Sequence, residues 1–339
     1  MASVGSAPVG VGVIGLGVGE QHARAFAAHP DCRLVAVCDI DPAKLAAVAE
    51  RLPPARRYAL ADDLIDDPEV NVVSVASHDD AHASQIIRAL RRGKHVFAEK
   101  PLCVSRRELS EIRAALGQAA GVRLSTNTVL RHSPRFRWLK QTISSGEIGT
   151  LYSIEADYLY GRMEKLTEGW RGRVPDYSVM LGGGIHVVDL VLWLSGQRPV
   201  DVVASGSGIA SRGSAFQGND LVLALLGFES GLVAKVGANF ASVHPHFHRV
   251  VAYGTRGTFE NSPGPGRLWT SRDPEAEAIR IDEAYPGVVK GALIPEFVDA
   301  VLGRGEPAVS EDDAFAAVSV CLSIDEATAT GQRVIIKYE

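Results

Sequence analysis

Short apolar runs punctuate the first third of the chain at regular intervals. Residues 9–14 (VGVGVI), 34–38 (LVAVC), 70–76 (VNVVSVA), 95–98 (HVFA) and 122–124 each have the length of a buried strand. Between them lie stretches with helical start and stop signals. Asp41-Pro42 sets a capping acid before a proline at the first helical position. Ser105-Arg106-Arg107-Glu108 has the form of a capping box, and Gly93 follows the helix that carries Ile86, Ile87 and Leu90. Five or six strands alternating with crossover helices predict an α/β domain with a doubly wound parallel sheet over residues 1–126.

After Asn127 the pattern changes. Residues 134–145 read as a helix closed by Gly146, 151–161 (LYSIEADYLYG) alternate as a strand, and 182–195 read as a helix opened by glycines. Strand-like runs follow at 200–205, 220–228, 232–240 and 249–253, with turns such as Glu229-Ser230-Gly231, and a last helix covers 314–330 before Gly331. This predicts an α+β C-terminal domain over residues 127–339, built on a large open, mostly antiparallel sheet. An open sheet must cover its outer face, so a homodimer or homotetramer is expected.

Composition narrows the function classes. Hydrophobic residues are 46% and charged residues 22%, and the formal net charge is -5, which offers no field for nucleic acid or an anionic membrane. No apolar run approaches the roughly 20 residues that span a bilayer. Residues 1–8 lack the basic and apolar parts of a secretory signal and read as a loose tail. Cys32, Cys38, Cys103 and Cys321 form no C-x-x-C pair, so no zinc or redox motif is implied and no metal is expected; scattered thiols fit a reducing cytoplasm.

The candidate chemistry begins at Gly15-Leu16-Gly17-Val18-Gly19, directly after the first strand. Glycines there let the backbone approach a pyrophosphate, and the N-terminus of the following helix adds partial positive charge, as in a Rossmann domain. Asp39 ends the second strand, where an acid can accept hydrogen bonds from both adenosine ribose hydroxyls and repel a 2′-phosphate. Its neighbour Ile40 is not basic, which favours NAD over NADP.

Several segments together resemble the Gfo/Idh/MocA family of sugar and inositol dehydrogenases over nearly the whole length. They are VGVIGLGVGEQHARAF, LVAVCDIDPAK, VASHDDAHASQIIRALRRGKHVFAEKPL, SPRFRWLKQTISSGEIG, GGGIHVVDLVLWL and GQRVII, with Glu99-Lys100-Pro101 the most specific. The resemblance implies an NAD-dependent oxidoreductase that moves a hydride between nicotinamide and a secondary alcohol of a sugar, nucleotide-sugar or inositol-like polyol. It implies Lys100 and His186 as catalytic residues. Ser77, His78, His82, Glu99 and Lys100 join the glycine loop, Asp39 and Ile40 on the cofactor side. Asn127, Tyr160, Arg171 and Asp189 are candidate substrate residues. The direct chemical argument agrees for Lys100: an amine at a strand's carboxyl end, beside a cationic nicotinamide, can take an alcohol proton.

Two positions depart from the family pattern. Only Val18 separates the second and third glycines where two residues are usual, which predicts a tighter pyrophosphate turn. The aspartate that many members carry four residues before the histidine is Gly182 here; Asp176, or water held by His186, could stand in. Other readings belong to other classes: a non-catalytic NAD(P)-binding regulator of the same fold, or a redox-neutral NAD-dependent glycosidase. His244, His246 and His248 alternate in the sequence and are expected to be core or substrate-facing rather than metal ligands.

Overall fold

The computed structural model describes residues 8–174 and 176–339. Residues 1–7, most of the expected tail, lie outside the described residues. The chain forms two compact units, Met1–Val129 with Val289–Ala314, and Leu130–Val288 with Phe315–Glu339.

In the first unit, β1 (Val9–Ile14) is buried along nearly its whole length, as a central parallel strand must be. After it come α1 (Gly19–Ala28), β2 (Cys32–Cys38), α2 (Pro42–Ala49), β3 (Arg56–Tyr58), α3 (Ala61–Asp66), β4 (Val72–Val75), α4 (His82–Arg91), β5 (His95–Ala98), α5 (Arg106–Gln118) and β6 (Leu124–Thr126). The six strands are parallel in the order β3-β2-β1-β4-β5-β6, the doubly wound arrangement. The sequence signals act as expected at the helix starts. The Asp41 carboxylate accepts from the N–H groups of Ala43 and Lys44 at 2.9 and 3.1 Å. Ser105 Oγ accepts from Glu108 N at 3.3 Å, and Glu108 reaches back to Val104 N at 3.1 Å. The polar β3 gives no hydrophobic signal; Arg56 and Tyr58 tie it to Asp67 instead.

Although everything after Asn127 was expected in the second domain, Val289–Ala314 packs on the first unit. The reason is burial: Phe297, on the helix Ile294–Val301, is fully buried, with its ring 5.3 Å from that of Phe97 on β5. Ser125 Oγ donates to Val309 O at 2.8 Å, and Arg304 pairs with Asp31.

The second unit contains α6 (Pro134–Ser144), β7 (Leu151–Leu159), α7 (Glu164–Thr167), α8 (Ile185–Ser195), β8 (Pro199–Ser207), β9 (Leu221–Phe228), β10 (Val233–Asn239), β11 (Phe247–Gly254), β12 (Thr258–Asn261), β13 (Gly266–Trp269), β14 (Ile279–Ile281) and β15 (Val334–Ile335). Its nine strands run β14-β13-β12-β11-β7-β10-β9-β8-β15. Every pairing is antiparallel except β10 with β7. The buried helix α8 lies against β7 and β10, and the turn that leads into it, Met180–Gly184, is π-helical. Val203, Leu225 and Lys235 share one cross-strand row, and Leu223 lies in the next. Leu223 and Leu225 are 43% and 50% exposed there. Among the described residues no helix is long and apolar enough to cross a membrane.

Candidate functional site

The glycine loop sits where a dinucleotide phosphate needs it. Gly15 has φ 83°, and a methyl there would fall 2.4 Å from Ala76 O, so only glycine fits this turn. Gly17 faces open space. Gly19 is the first residue of α1, and a methyl on it would press on Val13 and Ala76 at 3.1 and 3.2 Å. The helix–strand packing role of a third glycine is thus met despite the shortened loop. No side chain caps the N-terminus of α1 at Val18, which leaves the helix end suited to an anion. These residues fit a bound dinucleotide.

Asp39 closes the same region and is 6% exposed. Its two carboxylate oxygens accept the N–H groups of Leu16 and Asp41 at 2.8 and 2.9 Å, and Lys44 Nζ lies 3.5 Å away. Each oxygen keeps a second lone pair for a ribose hydroxyl, and Asp39 also holds the glycine loop to β2. Ile40 is 82% exposed. Ser77 Oγ donates to Gln85, and His78 is exposed at the start of a short 3-10 turn. His82, expected on the cofactor side, is fully buried, with its ring nitrogens on the carbonyls of Pro101 and Ser77 at 2.7 and 3.2 Å. It braces the loop that carries Lys100.

Lys100 is half-buried and follows β5; Glu99 Oε2 accepts its backbone N–H at 3.3 Å. Glu99 Oε1 accepts from Asn127 Nδ2 at 2.8 Å and lies 3.3 Å from His22 Nε2. His22 Nδ1 meets Ser74 Oγ at 3.0 Å, and Asn127 Nδ2 also donates to Lys290 O. Burial pushes the Glu99 carboxyl up, but the His22 hydrogen bond and the positive charges of Lys290 and Lys100 outweigh it and hold it well below the carboxylate range. Asn127, expected at the substrate, is fully buried in this network, with its Oδ1 lacking a partner among the described residues. His22 and Lys290 escaped the sequence reading because the network joins five separate stretches of chain.

The second unit gathers its own cluster. Tyr158 and Tyr160, two apart on and just after β7, stack at 5.5 Å between ring centroids. Around Tyr158 stand His186 at 6.0 Å, His246 at 5.1 Å, His248 at 5.3 Å and Phe240 at 5.9 Å. His246 and His248 therefore join the two sequence candidates Tyr160 and His186. His244 stands apart, its Nδ1 on Pro245 O at 2.6 Å. Burial drives the Tyr158 phenol far above its ordinary range.

The glycines before His186 open no space toward a ligand. They receive side chains of their own unit instead. A methyl on Gly182 would fall 1.8 Å from the Tyr177 hydroxyl, one on Gly183 2.5 Å from the Tyr158 ring, and one on Gly184 2.2 Å from Met180 Sδ. Tyr177, rather than the exposed Asp176, fills the position over Gly182. Arg171 Nε donates to that hydroxyl at 3.0 Å, and its guanidinium lies 4.6 Å from the centre of the Trp170 ring. Asp189, a candidate substrate residue, is fully buried and held by both Nε and Nη2 of Arg131 at 2.9 and 2.7 Å. That ion pair joins α8 to the turn before α6 and makes Asp189 a scaffold acid.

A doubly wound unit with a dinucleotide loop, followed by a nine-stranded open sheet bearing a histidine–tyrosine cluster, defines a class of two-part oxidoreductases. The chain belongs to the Gfo/Idh/MocA family: residues 9–128 match "Oxidoreductase family, NAD-binding Rossmann fold" and residues 136–260 match "GFO/IDH/MocA C-terminal domain". It is 28% identical to 1,5-anhydro-D-fructose reductase of Ensifer adhaerens, over 80% of this chain and 81% of that one. It is 27% identical to myo-inositol 2-dehydrogenase of Thermotoga maritima, over 80% and 78%. The fold matches scyllo-inositol dehydrogenase of Lactobacillus casei, a structure with NAD(H) and scyllo-inositol, at a TM-score of 0.81 and 22% identity, over 97% of this chain and 99% of that one.

Proposed function

We propose that this protein interconverts a secondary alcohol and a ketone on a sugar or inositol-like polyol, using NAD. The observation that carries this is the cluster of Tyr160, His186, His246 and His248 around Tyr158. Aromatic faces interleaved with imidazoles suit a polyhydroxylated ring, which offers apolar C–H faces and hydroxyl edges together. The named activities of the Ensifer and Thermotoga relatives support the same substrate class.

Bound NAD supplies the hydride acceptor. The glycine loop and the N-terminus of α1 would hold its pyrophosphate, and Asp39 would accept from the adenosine ribose. When the alcohol's carbon gives up hydride, its oxygen must lose a proton. Lys100 is the residue that takes that proton, and His186 is the second candidate for handling it. Arg171 and Tyr177 border the substrate, and Leu223, Leu225 and their row mates form the surface through which copies associate.

The test is a panel of inositols, sugars and anhydrosugars with NAD, read by NADH absorbance. Linear NADH formation with one of them is the expected result. Product without net NADH indicates redox-neutral chemistry, and neither signal across the panel removes the catalytic reading.

A further inference from the structure

We propose that Lys290 is a cofactor-binding residue, whose side-chain amine meets the pyrophosphate of the dinucleotide beside the shortened glycine loop. The segment that carries it is far from the loop in sequence but belongs to the same unit, Met1–Val129 with Val289–Ala314.

The backbone at Lys290 is fixed on two sides. Its carbonyl accepts from Asn127 Nδ2 at 2.8 Å, just past the carboxyl end of β6. Its neighbour Gly291 lies so close to α1 that a methyl there would fall 2.5 Å from Ala25 Cβ and 3.4 Å from Gln21 O. Gln21 is in the first turn of α1. Only a residue without a side chain lets the segment come so near. The approach sets Lys290 beside the opening turns of the helix whose N-terminus no side chain caps. Val289 O accepts from Ala292 N at 3.1 Å and Gly291 O from Ile294 N at 3.1 Å, so the segment turns directly into the helix Ile294–Val301.

The charges around it leave room for an anion. Lys290 is half-buried, and among the described residues it makes no ion pair. Its charge acts on the Glu99 carboxyl, but that group is already engaged by Asn127 Nδ2 at 2.8 Å, His22 Nε2 at 3.3 Å and the Lys100 backbone N–H at 3.3 Å. Other cations about α1 and the loop have carboxylates of their own: Arg24 and Arg51 hold Glu20, and Lys44 lies 3.5 Å from Asp39. Drawing an ammonium partly out of water without a partner is unfavourable, and a phosphate supplies the missing charge. The loop has a matching need. With only Val18 between Gly17 and Gly19, it has one backbone N–H fewer to offer the phosphates than a turn with two residues there. Lys290 adds a donor that carries a full charge.

The experiment is calorimetric titration with NAD, ADP-ribose and adenosine, which needs no turnover. Lys290→Met is expected to weaken NAD and ADP-ribose alike, roughly three- to tenfold, and to leave adenosine unchanged. Lys290→Arg should recover part of the loss, and added salt should shrink the difference. Unaltered NAD affinity in Lys290→Met overturns the proposal. So does a loss for NAD without one for ADP-ribose, which assigns the amine to the nicotinamide half, and so does an equal loss for adenosine, which marks a loosened site. A second measurement uses the unaltered protein and depends on no variant folding. Acetylation of Lys290, read by mass spectrometry, should slow when ADP-ribose is bound, and an unchanged rate also overturns the proposal. The substrate reading is tested separately by the NADH panel, and its failure leaves these binding results standing.

Discussion

The hydroxyl of Tyr177 occupies the space that any side chain at Gly182 would need, 1.8 Å from where the first carbon would fall. Overpacking of this kind costs about 1–3 kcal/mol, so Gly182→Ala should lower stability by that order and Gly182→Asp by no less. In a Tyr177→Ala background the added cost should shrink. Urea unfolding of the four proteins checks this, and strictly additive penalties would contradict the contact.

Lys100→Ala should lower kcat by about 10²–10⁴, the usual worth of a positioned acid or base. NAD affinity should change far less, if the glycine loop and α1 carry the phosphates as proposed. Steady-state rates and calorimetric titration separate the two quantities. A near-normal kcat would show that another group handles the proton.

Asp39→Ala should weaken NAD binding and narrow its advantage over NADP. Because the carboxylate also accepts the N–H groups of Leu16 and Asp41, the variant should lose about 1–3 kcal/mol of stability as well. Titration with both cofactors and a melting curve test the pair of effects. Equal affinities of the unaltered protein for NAD and NADP would defeat the argument.

Asp325 lies beneath the π-helical turn, and Ser178 Oγ donates to it at 2.9 Å. Burial raises its carboxyl to about 7, against the opposing pull of that hydrogen bond. The folded state thus retains a proton that the unfolded chain, near 3.9, releases. Stability should fall as pH rises from about 4 through about 7 and then level off, by on the order of 2–4 kcal/mol. Asp325→Asn, which still accepts from Ser178, should lose this slope. Denaturation at several pH values reads it, and parallel curves for the two proteins would refute it.

Leu223→Lys with Leu225→Lys should convert an associated form to the monomer without unfolding it, since both side chains lie on the exposed face of the sheet. Light scattering at micromolar concentration gives the mass. A monomer of 36.1 kDa before any substitution would mean that this face serves something else.

The first unit was legible because its signals are local. A strand, a glycine loop and a capped helix announce themselves within a few residues, and Asp41 and Ser105 cap where expected. The arrangement around His186 was only half legible. Tyr160 and His186 carry recognisable residue types, but their grouping with His246 and His248 depends on β11 lying beside β7. The filling of the Gly182 position by Tyr177 depends on a chain path that no spacing encodes. β12, β13 and β14 were missed because they are three or four residues long and partly polar, too short for a period to emerge.

The return of Val289–Ala314 has a consequence for how the chain is made. β1 to β6 are complete by Thr126, yet the Asn127 amide, the Ser125 hydroxyl and the Phe97 ring find their partners at Lys290, Val309 and Phe297. A ribosome emits the chain from its N-terminus, so the nucleotide-binding half must wait, incomplete, while more than 150 residues of the other half emerge between. Most of the later half is inserted within the sequence of the earlier one. A gene fragment ending after β6 would yield a sheet with an open seam along β5 and β6, rather than a working dinucleotide module.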